Sequence, residues 1–151
     1  MSSAPVFDLD SFLPYRLAVL AERVSQEFAT LYRARHGLTR AEWRVLAHLS
    51  AAAEPVSVRE VFARVEMDKS KVSRAAARLE LTGLIEKRAD ARDRRLVALS
   101  LTGKGRAVMA ELIPLARGFE AELQRRLGAE AEAFLRGVDR LAEAGNARGA
   151  L

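Results

Sequence analysis

The chain has no cysteine, which excludes a disulfide framework, a thiolate metal site and a thiol redox switch. Its two histidines, His36 and His48, have no ligand spacing typical of zinc around them, so no metal is expected. No apolar run approaches the ~20 residues that span a bilayer. The start, MSSAPVFDLDSF, lacks the basic segment and apolar core of a secretory signal. These absences predict a cytoplasmic protein with no membrane association. Chemistry is equally thin. There is no Ser/His/Asp grouping in a recognisable context, and Gly103-Lys-Gly105 is too short for a phosphate loop. Neither an enzyme nor a cofactor is expected. Aromatic residues make up only 6% of the chain, with one tryptophan.

What remains is 151 residues, half of them apolar and 30% charged. That suffices for one domain with a sizeable core and excludes a disordered chain. Alanine, leucine, arginine and glutamate dominate, which favours helix. Leu13, Leu17, Leu20, Val24, Phe28 and Leu31 recur at three- and four-residue spacing, predicting a helix over about 11–35 that Gly37 ends. Thr39-Arg-Ala-Glu42 is a capping box opening a second helix to about Ala52, with Val45, Leu46 and Leu49 inward. Ser57-Val-Arg-Glu60 opens a short third, with Val58, Val61, Phe62 and Val65 buried. Asp68 caps a fourth, to about Leu81. Residues 84–87 and 96–101 read as two strands, with Val97, Leu99 and Leu101 pointing inward. A fifth helix starts at Thr102, carries Pro114 and breaks at Gly128. A sixth carries Phe134, Val138 and Leu141 and ends before the tail at Gly145.

Charge is concentrated in residues 68–95, with nine Lys/Arg against five Asp/Glu, leaving 16 basic and 15 acidic groups elsewhere. That is the footprint of a nucleic-acid reader. The fold class expected is mostly α with a small β-hairpin, as a winged helix-turn-helix. The third and fourth helices form the helix-turn-helix, with the turn over residues 64–67. Ser70, Lys71, Ser73 and Arg74 face out from the first half of the recognition helix, where base edges are met. Arg78, further along, is assigned a phosphate. In the hairpin tip, Arg92, with Arg94 as second choice, suits a narrow minor groove. Asp90 and Asp93 are placed to orient these arginines. Arg95, next to the strand, is placed to hold the wing through an acidic partner. The plain alternatives are an amphipathic surface helix and a salt-bridged turn.

Asp90-Ala-Arg92-Asp93-Arg94-Arg95, running into Leu101-Thr102-Gly-Lys-Gly105, resembles the wing of the MarR family of transcriptional regulators. Leu38-Thr39…Trp43-Arg-Val-Leu46 is similar to that family's second helix, and Leu79-Glu80-x-x-Gly83-Leu84-Ile85 to its helix-to-wing junction. The resemblance spans roughly residues 12–143. It implies a homodimer that binds a pseudo-palindromic operator in double-stranded DNA. Residues 38–101 would be the DNA-binding domain, 11–36 and 102–145 the dimerisation helices, and 1–10 and 146–151 flexible ends. The long apolar stripes give dimerisation a separate reason, since monomers seldom expose patches of that size.

The resemblance also implies repression relieved by a small aromatic or phenolic acid bound where the dimerising helices meet the winged domain. Tyr15, Arg16, Val19, His36, Trp43, Arg44 and Phe62 are the residues it places there. Arg16 would clamp a carboxylate and Trp43 would stack on a ring. A core role for Trp43 and a plain surface role for Arg16 stand beside this. The rival class is a helical interaction protein whose basic patch binds an acidic protein.

Overall fold

The computed structural model describes residues 4–149. It contains α1 (Leu13–His36), α2 (Arg40–Ala51), β1 (Val56–Ser57), α3 (Val58–Val65), α4 (Lys69–Leu81), β2 (Ile85–Ala89), β3 (Val97–Leu101), α5 (Gly103–Leu127), a 3-10 turn (Gly128–Glu130) and α6 (Ala131–Gly149). The chain divides into two compact units between Ile113 and Pro114, inside α5. The first unit holds α1, the winged elements and the start of α5.

The helix boundaries follow the caps. Gly37 adopts a left-handed φ of 64° and its N–H bonds the Arg33 carbonyl at 2.8 Å, closing α1. Thr39 and Glu42 form a reciprocal capping box on α2. The Ser57 hydroxyl accepts from the Glu60 N–H, and the Asp68 carboxylate from the Ser70 N–H. Between α3 and α4, Glu66 takes the left-handed region at φ 50°. That conformation is costly for a side-chain-bearing residue and is imposed here by the tight turn between the two helices.

The sheet is antiparallel with order β1-β3-β2. Val56 pairs with Leu99, Ile85 with Leu101, and Ala89 with Val97. β1 was not expected, because two residues behind Pro55 carry no readable period. Val97, expected to point inward, is 44% exposed, while Ala98 and Leu99 are buried. It pairs with Ala89 at the far end of the hairpin, where the wing has left the body. The core of this unit is Tyr32, Val45, Leu46, Val61, Val72, Leu79, Ile85, Leu99 and Leu112, each almost fully buried. Of the residues expected inside α3, Val61 and Val65 are buried and Val58 and Phe62 half-buried.

The apolar stripe of α1 leaves Leu13, Leu17, Leu20 and Leu31 exposed in the single chain, where the buried residues of the helix are Ala29 and Tyr32. α1 meets α2 through Phe28 and Tyr32, both against Trp43, and through Glu22 on Arg40. The last helix was expected to stop at Gly145, but α6 continues to Gly149. Gly145 is not among the glycines with positive φ, so it does not cap. Residues 150–151 of the expected flexible tail, and 1–3 of the expected flexible start, lie outside the described residues.

One junction fixes the wing against the body. The Thr102 hydroxyl donates to the Gly83 carbonyl at 2.6 Å and accepts from the Gly105 N–H at 3.1 Å. The Thr102 N–H bonds the Leu84 carbonyl, and Lys104 Nζ bonds the Thr82 carbonyl. α5 therefore begins directly on the turn that leaves α4. A Cβ on Gly105 would lie 2.0 Å from the Leu84 oxygen, whereas one on Gly118, in the same helix, would meet nothing within 4 Å. Gly105→Ala is expected to destabilise the fold by ~2 kcal/mol or more, since the obstacle is backbone. Gly118→Ala is expected to stabilise it by up to ~1 kcal/mol through helix propensity. Urea unfolding of both variants checks this pair of opposite signs.

Candidate nucleic-acid interface

α4 presents one polar face. Val72, Ala75, Ala76 and Leu79 are buried, and Ser70, Lys71, Ser73, Arg74 and Arg78 are all exposed, as the three- and four-residue spacing dictates. Lys71, Arg74 and Arg78 stand on successive turns and line a cleft of about 360 Å³ with Thr39, Arg40, Ala41, Glu42 and Met67. The start of α2 therefore borders the same cationic groove. A helix start favours negative charge there, since its first N–H groups carry partial positive charge.

Not every exposed donor on this face is uncommitted. The Ser70 hydroxyl donates to Asp68 Oδ1 at 3.1 Å, and the Ser70 N–H bonds the same oxygen at 3.0 Å. These bonds hold the Asp68 carboxyl below the usual range. Arg40 is held bidentately by Glu22 at 2.9 and 3.0 Å, which raises the Arg40 pKa and lowers that of Glu22. Arg78 Nε lies 3.0 Å from Glu42 Oε1. Among the described residues, Lys71 and Arg74 have no ion-pair partner within 4 Å, so they are the cations most available to an incoming polyanion.

The wing is organised by its acids. Asp90 Oδ1 accepts from the backbone N–H groups of Arg92 and Asp93, at 2.8 and 3.1 Å, so Asp90 shapes the loop rather than gripping an arginine. The loop closes through Asp90 N–H to the Leu96 carbonyl and Leu96 N–H to the Asp93 carbonyl. Asp93 takes Arg95 bidentately, Nε to Oδ1 at 3.1 Å and Nη2 to Oδ2 at 3.3 Å. The Arg95 side chain, then its backbone N–H, holds the Asp93 carboxyl below its ordinary value. Arg94 projects without an ion-pair partner among the described residues. Arg92 pairs with Glu54 at 3.0 Å, in the loop after α2. Both side chains are exposed, so the pair is screened and readily exchanged for another anion.

The residues expected around an effector are spread over α1, α2 and α3. Trp43 stacks on Tyr32 with centroids 5.6 Å apart and meets Phe28 edge-on at 5.0 Å, an aromatic cluster joining α1 to α2. Burial pushes the Tyr32 phenol above its usual pKa. Arg44 donates Nη1 to the Val65 carbonyl at 3.4 Å, tying α2 to the end of α3. Phe62 is half-buried on α3. His36 Nε2 lies 3.0 Å from Glu111 Oε2. Tyr15 and Arg16 are exposed and Val19 half-buried on the first turns of α1. Arg16 precedes Phe28 by twelve residues of continuous helix, which is about 18 Å at the α-helical rise. Arg16 thus lies about three helical turns before the Phe28 end of this cluster. The ion pairs of Glu42 and Glu54 with Arg78 and Arg92 were not foreseen, because each joins residues far apart in sequence.

Residues 36–96 match a model of the MarR family. Among solved structures, a MarR family transcriptional regulator from Silicibacter pomeroyi DSS-3 is 30% identical, over 91% of this chain and 99% of that one, with a TM-score of 0.75. The transcriptional repressor CouR, solved bound to a 23-mer DNA duplex, is 28% identical over 93% and 99%, with a TM-score of 0.77. The PcaV transcriptional regulator from Streptomyces coelicolor, solved with its natural ligand, is 27% identical over 94% and 99%, with a TM-score of 0.72. No curated protein sequence matched. No helix among the described residues is long and apolar enough to cross a membrane. With the three-stranded wing, the recognition helix and near-complete coverage of a relative at 30% identity all in agreement, the chain belongs to the MarR family of transcriptional regulators.

Proposed function

We propose that the protein is a homodimeric repressor that binds a pseudo-palindromic operator and leaves it when a small aromatic or phenolic acid binds. The observation that carries the DNA reading is the exposed Lys71–Arg74–Arg78 face of α4 with the arginine-tipped wing behind it. Lys71, Ser73 and Arg74 take base edges in the major groove, and Arg78 takes a phosphate. Ser70, whose hydroxyl already donates to Asp68, keeps its oxygen as an acceptor toward the groove. Arg92 exchanges Glu54 for the minor groove, with Arg94 beside it, and Asp90, Asp93 and Arg95 keep the tip in shape.

The dimer is supported by the apolar side chains that one chain leaves in water. Phe12, Leu13, Leu17 and Leu20 on the first turns of α1, and Phe134, Leu135, Val138 and Leu141 on α6, are each about 40% exposed or more. An isologous two-fold contact covers such surface on both copies at once. The duplex in the CouR complex is a 23-mer, about two turns of B-DNA and long enough for half-sites one turn apart.

The effector reading is supported by the ligand-bound PcaV relative and by the Trp43 cluster where α1 meets α2. Arg16, about three turns before that cluster on α1, meets the ligand's carboxylate in this reading. Arg44 and His36 are the next candidates.

Two outcomes test this function. On an operator recovered from a random duplex pool, Arg74→Ala is expected to cost about 1–3 kcal/mol and to relax one position per half-site, as for a bidentate contact to guanine. Equal loss on operator and random DNA would assign Arg74 to phosphate. An aromatic carboxylate is expected to quench Trp43 and release DNA, with DNA weakening ligand binding by the same factor. Arg16→Ala should abolish that response and retain operator binding. A quench that survives in Arg16→Ala would place the carboxylate elsewhere.

A further inference from the structure

The Glu42 side chain, which ends in a carboxyl group, is only 3% exposed. One oxygen, Oε2, accepts from the Thr39 N–H at 2.9 Å and completes the α2 cap. The other, Oε1, lies 3.0 Å from Arg78 Nε on α4. The cap alone does not require an anion, because the capping box accepts glutamine as readily as glutamate. Burying a carboxylate is costly unless it is paired, so its charge is explained by Arg78 rather than by Thr39. Arg78 itself is 65% exposed and lines the cleft that Lys71 and Arg74 also line. A guanidinium presents five N–H donors in a rigid fork. With Nε ion-paired to the buried carboxylate, the Nη edge is left for the groove. A long, exposed arginine would otherwise sample many rotamers.

We propose that Glu42 is a positioning residue for DNA recognition: it holds Arg78 by one edge so that the other edge meets a backbone phosphate seated between the start of α2 and the recognition helix. The inference rests on the DNA-binding reading. Glu42 does not touch DNA; it acts through Arg78, and it fixes the register in which α4 enters the groove. Removing its negative charge also lowers general repulsion of DNA, and a phosphate contact is made on any sequence. The informative quantity is the effect of Glu42→Gln on duplex affinity with Arg78 present against its effect with Arg78 absent.

The test compares the full chain with Glu42→Gln, Arg78→Met and the double variant, on operator and random duplexes at one salt concentration. Thermal unfolding comes first, and Glu42→Gln should keep its cap and melt close to the parent. With Arg78 present, Glu42→Gln should weaken binding to both duplexes about five-fold relative to the change it makes in the Arg78→Met background. Arg78→Met should weaken both duplexes by a similar factor, as loss of a phosphate contact does. One result overturns the inference: Glu42→Gln changing duplex affinity by the same factor with and without Arg78, which would show that Glu42 acts through the fold and not through Arg78. A parent that binds no duplex would overturn the DNA reading and this inference with it, whereas a binding parent with equal Glu42→Gln effects in the two backgrounds overturns the inference alone.

Discussion

The DNA-facing surface depends on the contact between Gly105 and the Leu84 carbonyl. The recognition helix ends at Leu81 and the wing begins at Ile85, so residues 82–84 determine how the hairpin projects from the helix. That turn is held from outside by the first residues of α5, through Thr102 to Gly83, Lys104 to Thr82 and the backbone of Gly105 against Leu84. Major-groove and minor-groove readers must reach one duplex together. A loose turn would let each bind separately and lose the register between them. The Leu-Thr-x-x-Gly segment thus acts on DNA binding from a position that contacts no DNA in the proposed complex.

Charge is disposed in the same spirit. The acids within the basic region pair locally: Asp68 with the start of α4, Asp90 with the wing backbone, Asp93 with Arg95, and Glu42 with Arg78. Each fixes a direction more than it neutralises a field. Lys71, Arg74 and Arg94 have no ion pair within 4 Å among the described residues. Protein preorganised in this way spends less conformational entropy when it meets the phosphate lattice.

Much of this was legible from the residues. The caps at Gly37, Thr39, Ser57 and Asp68 are local chemistry, and each sits where the sequence places it. The outward set on α4 follows from helical period, and the wing from its strand and turn pattern. What could not be read depends on partners distant in sequence. β1 exists because Val56 and Ser57 find an edge on β3. The burial of Glu42 needs α4 packed beside α2. Val97 faces water because the hairpin outruns the body. The α1 stripe carries the apolar period of a buried face, but Leu13, Leu17, Leu20 and Leu31 stay exposed in one chain.

The central claim is that two copies of this surface read one duplex, each with α4 in a major groove and a wing in the flanking minor groove. Hydroxyl-radical footprinting on a selected operator tests it most directly. The account predicts two protected tracts related by a two-fold axis, centred about one helical turn or 10 base pairs apart, with flanking minor-groove protection that disappears in Arg92→Ala. A single protected tract, or flanks unchanged by Arg92→Ala, would contradict it.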